Sequence, residues 1–116
     1  MKRQLAEAQG RRGETFAAEW LSKQGWRLLD ARRRTPRGEI DLIMRNGHIV
    51  SFIEVKWRAK VEDLDFAIDE YRLRRVAAAV ECCAHEYVEG EDTIRIDVML
   101  VAPGTEPRHI ENAWQP

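Results

Sequence analysis

The chain has 116 residues, of which 44% are hydrophobic and 34% are charged. This composition excludes a disordered chain, and the length leaves no room for a second domain of ordinary size. The net charge of −1 excludes a uniformly basic protein, but residues 1–38 carry ten Lys or Arg against four Asp or Glu, and residues 61–116 carry five against thirteen. A basic N-terminal third beside an acidic C-terminal half is compatible with nucleic-acid contact on one side, and equally with a charged surface that contacts only solvent.

No apolar run approaches the roughly 20 residues of a membrane-spanning helix, and the first residues lack the apolar core of a signal peptide. Cys82 and Cys83 are adjacent, which disfavours a disulfide within the chain. We therefore expect one domain, residues 1–116, in a cytoplasmic protein without membrane contact.

The first predicted element is an amphipathic helix from about Ala8 to Gln24, ended by Gly25. Its apolar stripe consists of Phe16, Ala17, Trp20 and Leu21. Glu14 borders this stripe. Taken alone, Glu14 is typical of an exposed acid near a helix N-terminus, where the helix dipole favours negative charge.

Residues 26–34 predict a strand with a basic end, and residues 35–38 (TPRG) predict a turn. The densest positive cluster of the sequence lies here and consists of Arg32, Arg33, Arg34 and Arg37. Such a cluster is usually a solvated loop. Because it directly precedes an acidic hairpin, it is also a candidate for contact with phosphate oxygens.

Residues 38–58 (GEIDLIMRNGHIVSFIEVKWR) predict a β-hairpin, with Asn46 and Gly47 as a type I′ turn. Counting outward from that turn places Asp41 opposite Phe52 and diagonal to Glu54. Alternate residues of a strand share a face, so one face carries the polar set Glu39, Asp41, Glu54 and Lys56. Acids and a lysine at the end of a core-facing surface indicate a site.

The spacing D-x₁₂-E-x-K joins Asp41, Glu54 and Lys56. Oxygen ligands without cysteine or histidine beside them suit Mg²⁺ or Mn²⁺, which use one or two carboxylates together with substrate phosphate. Such an ion can stabilise charge on a phosphodiester and acidify a bound water. We expect Lys56 to position the phosphate and stabilise its charge.

The remaining sequence predicts a mobile connection over residues 59–68, a helix from about Asp69 to Gly90, and a strand over residues 93–101. The helix has a stripe of apolar residues: Leu73, Val76, Ala77, Val80, Ala84, Tyr87 and Val88. In the last strand, Asp97 and Arg95 favour a structural ion pair. Residues 109–114 favour a short edge strand or turn. Cys82, Cys83 and His85 are too crowded for a zinc site.

The runs G-E-I-D-L-I (38–43) and F-I-E-V-K-W-R (52–58) resemble the PD-(D/E)xK nuclease core, and the whole chain is similar to the bacterial YraN family. The resemblance implies a restriction-endonuclease-like αβββαβ core, an α/β fold with a small mixed sheet flanked by helices. It also implies that Asp41 and Glu54 are metal ligands, that Lys56 is the catalytic lysine, and that Glu14 is an accessory acid. The chain departs from the family pattern at Arg32, where Asn is common, and at Tyr71 and Arg72, where a helix lysine is frequent.

We therefore expect a Mg²⁺- or Mn²⁺-dependent endonuclease that hydrolyses DNA phosphodiester bonds, with branched DNA as a candidate substrate. Arg33, Arg37 and Arg58 are expected to contact the DNA backbone. Junction-cutting relatives are dimers, so the resemblance also raises a homodimer. Two alternatives stay open: a DNA-binding module with a vestigial site that acts through a partner, and a structural protein whose hairpin acids are salt bridges to the arginines.

Overall fold

The computed structural model describes residues 2–114, with side chains from residue 10 onward, and shows an α/β fold. The helices are α1 (Lys2–Lys23) and α2 (Glu70–Cys83), and the strands are β1 (Arg27–Thr35), β2 (Gly38–Asn46), β3 (Ile49–Trp57), β4 (Thr93–Val101) and β5 (Arg108–Ile110). The predicted αβββαβ order is confirmed, and β5 extends it by a short edge strand. In residues 2–114, no helix is long and apolar enough to cross a membrane.

The five strands form one mixed sheet in the order β1-β2-β3-β4-β5. Only β3 and β4 are parallel, because α2 connects them as a crossover, and the other neighbours are antiparallel. Each face of the sheet has its own apolar cluster. The α1-side cluster is built on Ala17, Leu21, Leu42, Met44, Ile53 and Met99, and the α2-side cluster is built on Ile40, Ile43, Phe52, Val76, Val80 and Val98.

The predicted turn at Asn46-Gly47 is wrong by one residue, since Asn46 pairs with Ile49 and the two loop residues are Gly47 and His48. Gly47 has φ 61°, whereas neither neighbour has a positive φ. Positive φ at the first loop position alone is the φ pattern of a type II′ turn, which needs glycine there. The register shifts by two residues, so Phe52 pairs with Ile43 and not with Asp41. An even shift preserves which side chains share a face.

The helix limits also differ from the prediction. Helix α1 begins at Lys2, and Phe16, expected in its buried stripe, is 45% exposed. Helix α2 begins after Asp69, whose side chain accepts a hydrogen bond from the Tyr71 N–H, but it ends at Cys83, well before Gly90. Where an irregular connection was predicted, residues Val61–Phe66 form a 3₁₀ turn.

Helix α1 approaches β3 closely at Gly13. A Cβ atom at this position would lie 3.3 Å from the Cβ of Trp57, which is tighter than ordinary packing allows. Glycine therefore lets the helix rest on the strand. The next residue, Glu14, is brought toward the end of the sheet where Asp41 lies.

Candidate active site

Asp41 lies at the point where β2 separates from β3. The last regular pair of these strands is Leu42 with Ile53. Ile40 and Leu42 belong to clusters on opposite faces, so the two-residue alternation of side chains is interrupted at Asp41. The Val55 N–H donates a 2.8 Å hydrogen bond to Oδ2 of Asp41. The carboxylate of Asp41 therefore accepts a hydrogen bond that a backbone carbonyl would accept in a regular pair of strands, and it is held between β2 and β3.

The neighbouring strand β1 is also irregular at this level. Arg32, which the flanking β1–β2 pairs place opposite Asp41, has φ 53°. A left-handed conformation costs a residue other than glycine roughly 1–2 kcal/mol, and such strain is concentrated at functional sites. The Arg32 Nε donates a 2.9 Å hydrogen bond to Oε2 of Glu14. This ion pair fixes the accessory acid of α1 against the sheet.

Glu54 is buried on β3 with its two carboxylate oxygens in different surroundings. Oε1 accepts a 3.1 Å hydrogen bond from Nε of Arg72 on α2 and lies 3.4 Å from Nζ of Lys56. Oε2 is buried, and no side chain or backbone group in the described part of the chain hydrogen-bonds to it. A buried carboxylate oxygen without a partner is energetically costly and marks a position that a ligand can satisfy.

The charge of Glu54 acts on Asp41. Burial and then the nearby Glu54 carboxylate raise the pKa of Asp41 to about 7, and Glu14 adds to the rise. The Val55 N–H and the Arg72 guanidinium lower the pKa but do not compensate. The charges of Glu54 on β3 and Glu14 on α1 therefore both act on Asp41, and the nearby cation Arg72 does not fully offset them.

The residues present fit a small divalent cation. Among the described residues, no three His, Cys, Asp or Glu side chains form a ready-made ion cage. Mg²⁺ does not require one, since it keeps several waters and uses one or two carboxylates together with substrate phosphate. The unpartnered Oε2 of Glu54 and the repelled carboxyl of Asp41 are hard oxygen donors of the kind that Mg²⁺ or Mn²⁺ binds.

The chain matches a family described as "Uncharacterised protein family UPF0102" over residues 13–101. It belongs to the UPF0102 family. UPF0102 proteins of Erythrobacter litoralis and Sphingopyxis alaskensis are 60% and 57% identical over 116 residues, with each pair covered in full. A relative from Caulobacter vibrioides is 42% identical over 106 residues, which is 90% of this chain and 85% of the relative. The resemblance to YraN is thereby confirmed.

The stretch matched by the UPF0102 family includes every predicted site residue, but the structure gathers only some of them. Lys56 lies 3.4 Å from Glu54, and the charges of Glu54 and Glu14 both act on Asp41. Arg33 instead pairs with Glu86, and Arg37 lies 3.5 Å from Glu81. Both acids lie at or beyond the C-terminal half of α2, so neither arginine is part of the cluster at Glu54.

Arg58 follows β3 directly, close in sequence to Lys56. Its backbone N–H donates to the carbonyl of Val101, and its Nη1 donates to the carbonyl of Trp57. The guanidinium is therefore held near the end of the strand that carries Glu54 and Lys56. Contact of Arg58 with a DNA backbone stays a prediction.

Arg72 is a residue of this candidate site for which the sequence analysis predicts no role. It occupies the third position of α2, after the cap Asp69. The positive end of the helix dipole disfavours a cation in the first turn, so an arginine there indicates a nearby anionic partner. That partner is Glu54. The sequence does not identify it, because α2 and β3 come into contact only in the folded chain.

We expect the stability of the metal-free protein to fall as pH rises from about 5 to about 8. The pKa of folded Asp41, about 7, lies above its ordinary value of 3.8, so the folded state binds this proton more tightly than the unfolded state does. The resulting stabilisation is present at low pH and lost as pH rises through about 7, at about 1.4 kcal/mol per unit of pKa difference. Urea denaturation in EDTA at both pH values measures the change.

Asp41→Asn removes the ionisable group and is expected to flatten this dependence, leaving a variant more stable than the wild type at pH 8. The matched control is Asp65→Asn, because Asp65 forms an exposed ion pair with Arg108. The control should follow the wild-type profile. A wild-type profile as flat as that of Asp41→Asn would contradict the prediction.

Proposed function

We propose that this protein hydrolyses DNA phosphodiester bonds with the help of Mg²⁺ or Mn²⁺ bound by Asp41 and Glu54. The observation that carries the proposal is the buried Oε2 of Glu54, which has no hydrogen-bond partner among the described residues and belongs to a carboxylate that raises the pKa of Asp41. Two acids held together against their mutual repulsion are poorly explained by packing, and a shared cation would relieve that repulsion.

Each side chain of the cluster has a role under this proposal. A divalent ion bound there would polarise the phosphodiester and acidify a bound water. Asp41 and Glu54 would hold the ion, and Glu14 would accept a hydrogen bond from its water shell. The Lys56 ammonium lies 3.4 Å from Glu54 Oε1, and under this proposal it would contact a phosphate oxygen and stabilise the charge that develops there. Arg72 would then turn from Glu54 to the phosphate.

DNA is the proposed substrate because a basic groove adjoins the same acids. Between α1 and β1, a groove of about 350 Å³ is lined by Arg11, Glu14, Arg32, Arg34 and Glu39. Arg32 pairs with Glu14 and Arg34 lies 3.5 Å from Glu39, and a phosphate that enters the groove would take the place of these acids as their partner. This groove adds Arg11 and Arg34 to the candidate backbone contacts; Arg34 is 89% exposed, whereas Arg33 and Arg37 pair with acids of the α2 side.

The test is cleavage by purified protein of labelled single-stranded, duplex and four-way-junction DNA. We expect cleavage in Mg²⁺ or Mn²⁺ and none in EDTA. Lys56→Ala should lower the rate by about 10²-fold or more, since positioned charge-stabilising groups contribute on that scale. Lys23→Ala, at the exposed end of α1, is the matched control. Cleavage that survives in EDTA, or at the wild-type rate in Lys56→Ala, would refute the proposal.

One observation favours a second candidate, a DNA-binding module with a vestigial site. Arg72 holds Glu54 and Arg32 holds Glu14, as counter-ions would in a site that no longer binds metal. This candidate predicts salt-dependent DNA binding without cleavage in any metal. Asp41→Asn would leave that binding unchanged or improve it. A homodimer and a cytoplasmic location stay predictions under both candidates.

A further inference from the structure

The segment from residue 61 to residue 71 exposes an unusual number of large apolar side chains. Seven large hydrophobic residues are exposed in the described part of the chain, and four of them lie in this segment: Val61, Phe66, Ile68 and Tyr71. Phe66 is 87% exposed and Tyr71 is 65% exposed. Solvated phenyl and phenol rings concentrated in one short segment indicate a binding surface.

The backbone of this segment is fixed at several points. Leu64 and Ala67 are buried, so the 3₁₀ turn directs Phe66, which lies between them, outward. Asp65 forms a 2.9 Å ion pair with Arg108 at the start of β5. Asp69 caps α2 and so fixes the helical turn from which Tyr71 extends. The two rings are therefore presented by an ordered backbone.

The same segment borders the candidate active site. Ile68, Asp69 and Arg72 lie around one small space, too narrow for a water molecule, together with Glu54 and Lys56. Phe66 lies two residues before Ile68, and Tyr71 directly precedes Arg72. Both aromatic residues are thus close along the chain to residues that surround the Glu54 carboxylate, which Lys56 and Arg72 contact.

We propose that Phe66 and Tyr71 form a stacking platform for unpaired bases of the DNA that enters this site. The inference deepens the proposed function and rests on it for the identity of the polymer. An 87% exposed ring leaves its faces open to a base. Base–aromatic stacking is the usual way in which proteins hold single-stranded nucleic acid. Bases inside a duplex are already stacked on both sides, so the platform selects DNA with unpaired nucleotides, such as flaps, gaps and branch points.

Two cations beside the segment, Lys56 and Arg72, favour a nucleotide as the occupant, because its phosphate needs positive charge nearby. Five acids lie in the same segment, namely Glu62, Asp63, Asp65, Asp69 and Glu70, so we expect the segment to contact the base and not the phosphate. A stacked base points toward the rings while its phosphate points away from them, and the neighbouring Lys56 and Arg72 offer the positive charge for that phosphate.

The test is binding in EDTA, where no metal-dependent cleavage occurs. Fluorescence anisotropy would compare a 12-nucleotide single strand with the same sequence as a duplex. Phe66→Leu keeps an apolar side chain of similar length but removes the ring. We expect it to weaken single-strand binding by about 5- to 100-fold, the range for loss of one base–aromatic stack, and to leave duplex binding within about twofold. Phe66→Trp should retain or tighten single-strand binding.

Phe16→Leu on α1 is the matched control, since it removes an exposed ring outside the segment and should bind as the wild type does. Unchanged single-strand binding by Phe66→Leu would overturn the proposal. So would a change from dimer to monomer in Phe66→Leu with unchanged affinity, because the rings would then serve self-association. A wild type that never cleaves DNA but loses single-strand binding in Phe66→Leu would refute the nuclease and support the platform.

Discussion

Asp41→Asn is expected to lower metal-dependent DNA cleavage by about 10²- to 10³-fold, and Glu54→Gln by a similar factor. Each change keeps the size of the side chain but removes one of the negative charges that would hold the cation. Asparagine at position 41 still offers an oxygen to the Val55 N–H, so β2 and β3 should keep their separation. Initial cleavage rates on a labelled flap or junction substrate, across a range of Mn²⁺ concentrations, measure the effect.

The control for these two variants is Glu91→Gln, which removes one exposed carboxylate before β4 at the opposite end of the sheet. Its cleavage rate should equal that of the wild type. Stability separates the nuclease from the structural alternative, in which the hairpin acids are salt bridges. That alternative requires Asp41→Asn to destabilise the fold at pH 8, whereas we expect stabilisation because burial and Glu54 oppose the charge of Asp41. A destabilised and fully active Asp41→Asn would contradict the assignment.

Asp97→Ala is expected to remove about 3–5 kcal/mol from the free energy of unfolding and to lower the melting temperature by about 10–20 °C. The Asp97 side chain is fully buried in β4 and receives two hydrogen bonds from Arg95, at 2.9 and 2.8 Å. His109 and the Asn112 N–H contact the same carboxylate. Alanine would leave the Arg95 guanidinium without its buried partner and detach β5 from β4.

The matched control is Asp65→Ala, because Asp65 and Arg108 are also 2.9 Å apart but both side chains are largely exposed. We expect its cost to stay below about 1 kcal/mol. Asp97→Asn should fall between the two, since the amide keeps an acceptor for Arg95 while losing the charge. Equal melting temperatures for Asp97→Ala and Asp65→Ala would show that the buried network does not stabilise the fold.

The grouping of Glu54 with Lys56 could be predicted from the sequence because strand periodicity decides it. Side chains two positions apart point the same way whatever the turn. The turn prediction was one residue off, yet the error shifted the pairing by two residues and so left the faces unchanged. The limits of β4, Thr93–Val101, were likewise predictable because its alternation is uninterrupted. Propensity and periodicity thus sufficed for the sheet.

The position of Asp41 within the site could not be predicted in detail. Its carboxylate lies between β2 and β3 because the alternation of side chains between the two faces is interrupted at Asp41. No local sequence pattern predicts such an interruption. The counter-ions Arg72 and Arg32 depend on contacts between elements distant in sequence. Arg33 and Arg37 come from the same basic cluster as Arg32, yet both pair with acids of the α2 side. The number of arginines in a stretch of sequence does not predict on which face of the sheet each side chain lies.

The parallel pairing of β3 with β4 has a consequence for the order in which the chain assembles. β1, β2 and β3 are joined by short loops, whereas Glu54 reaches its parallel neighbour Val98 only after the α2 crossover has closed. Contacts of low sequence separation form faster because they close shorter loops. We therefore expect β2 and β3, which carry Asp41 and Glu54, to pair before α2 has packed against them and brought Arg72 to Glu54. Early intermediates would then expose a more negative cluster than the native protein, and divalent cations in the refolding buffer should accelerate that step.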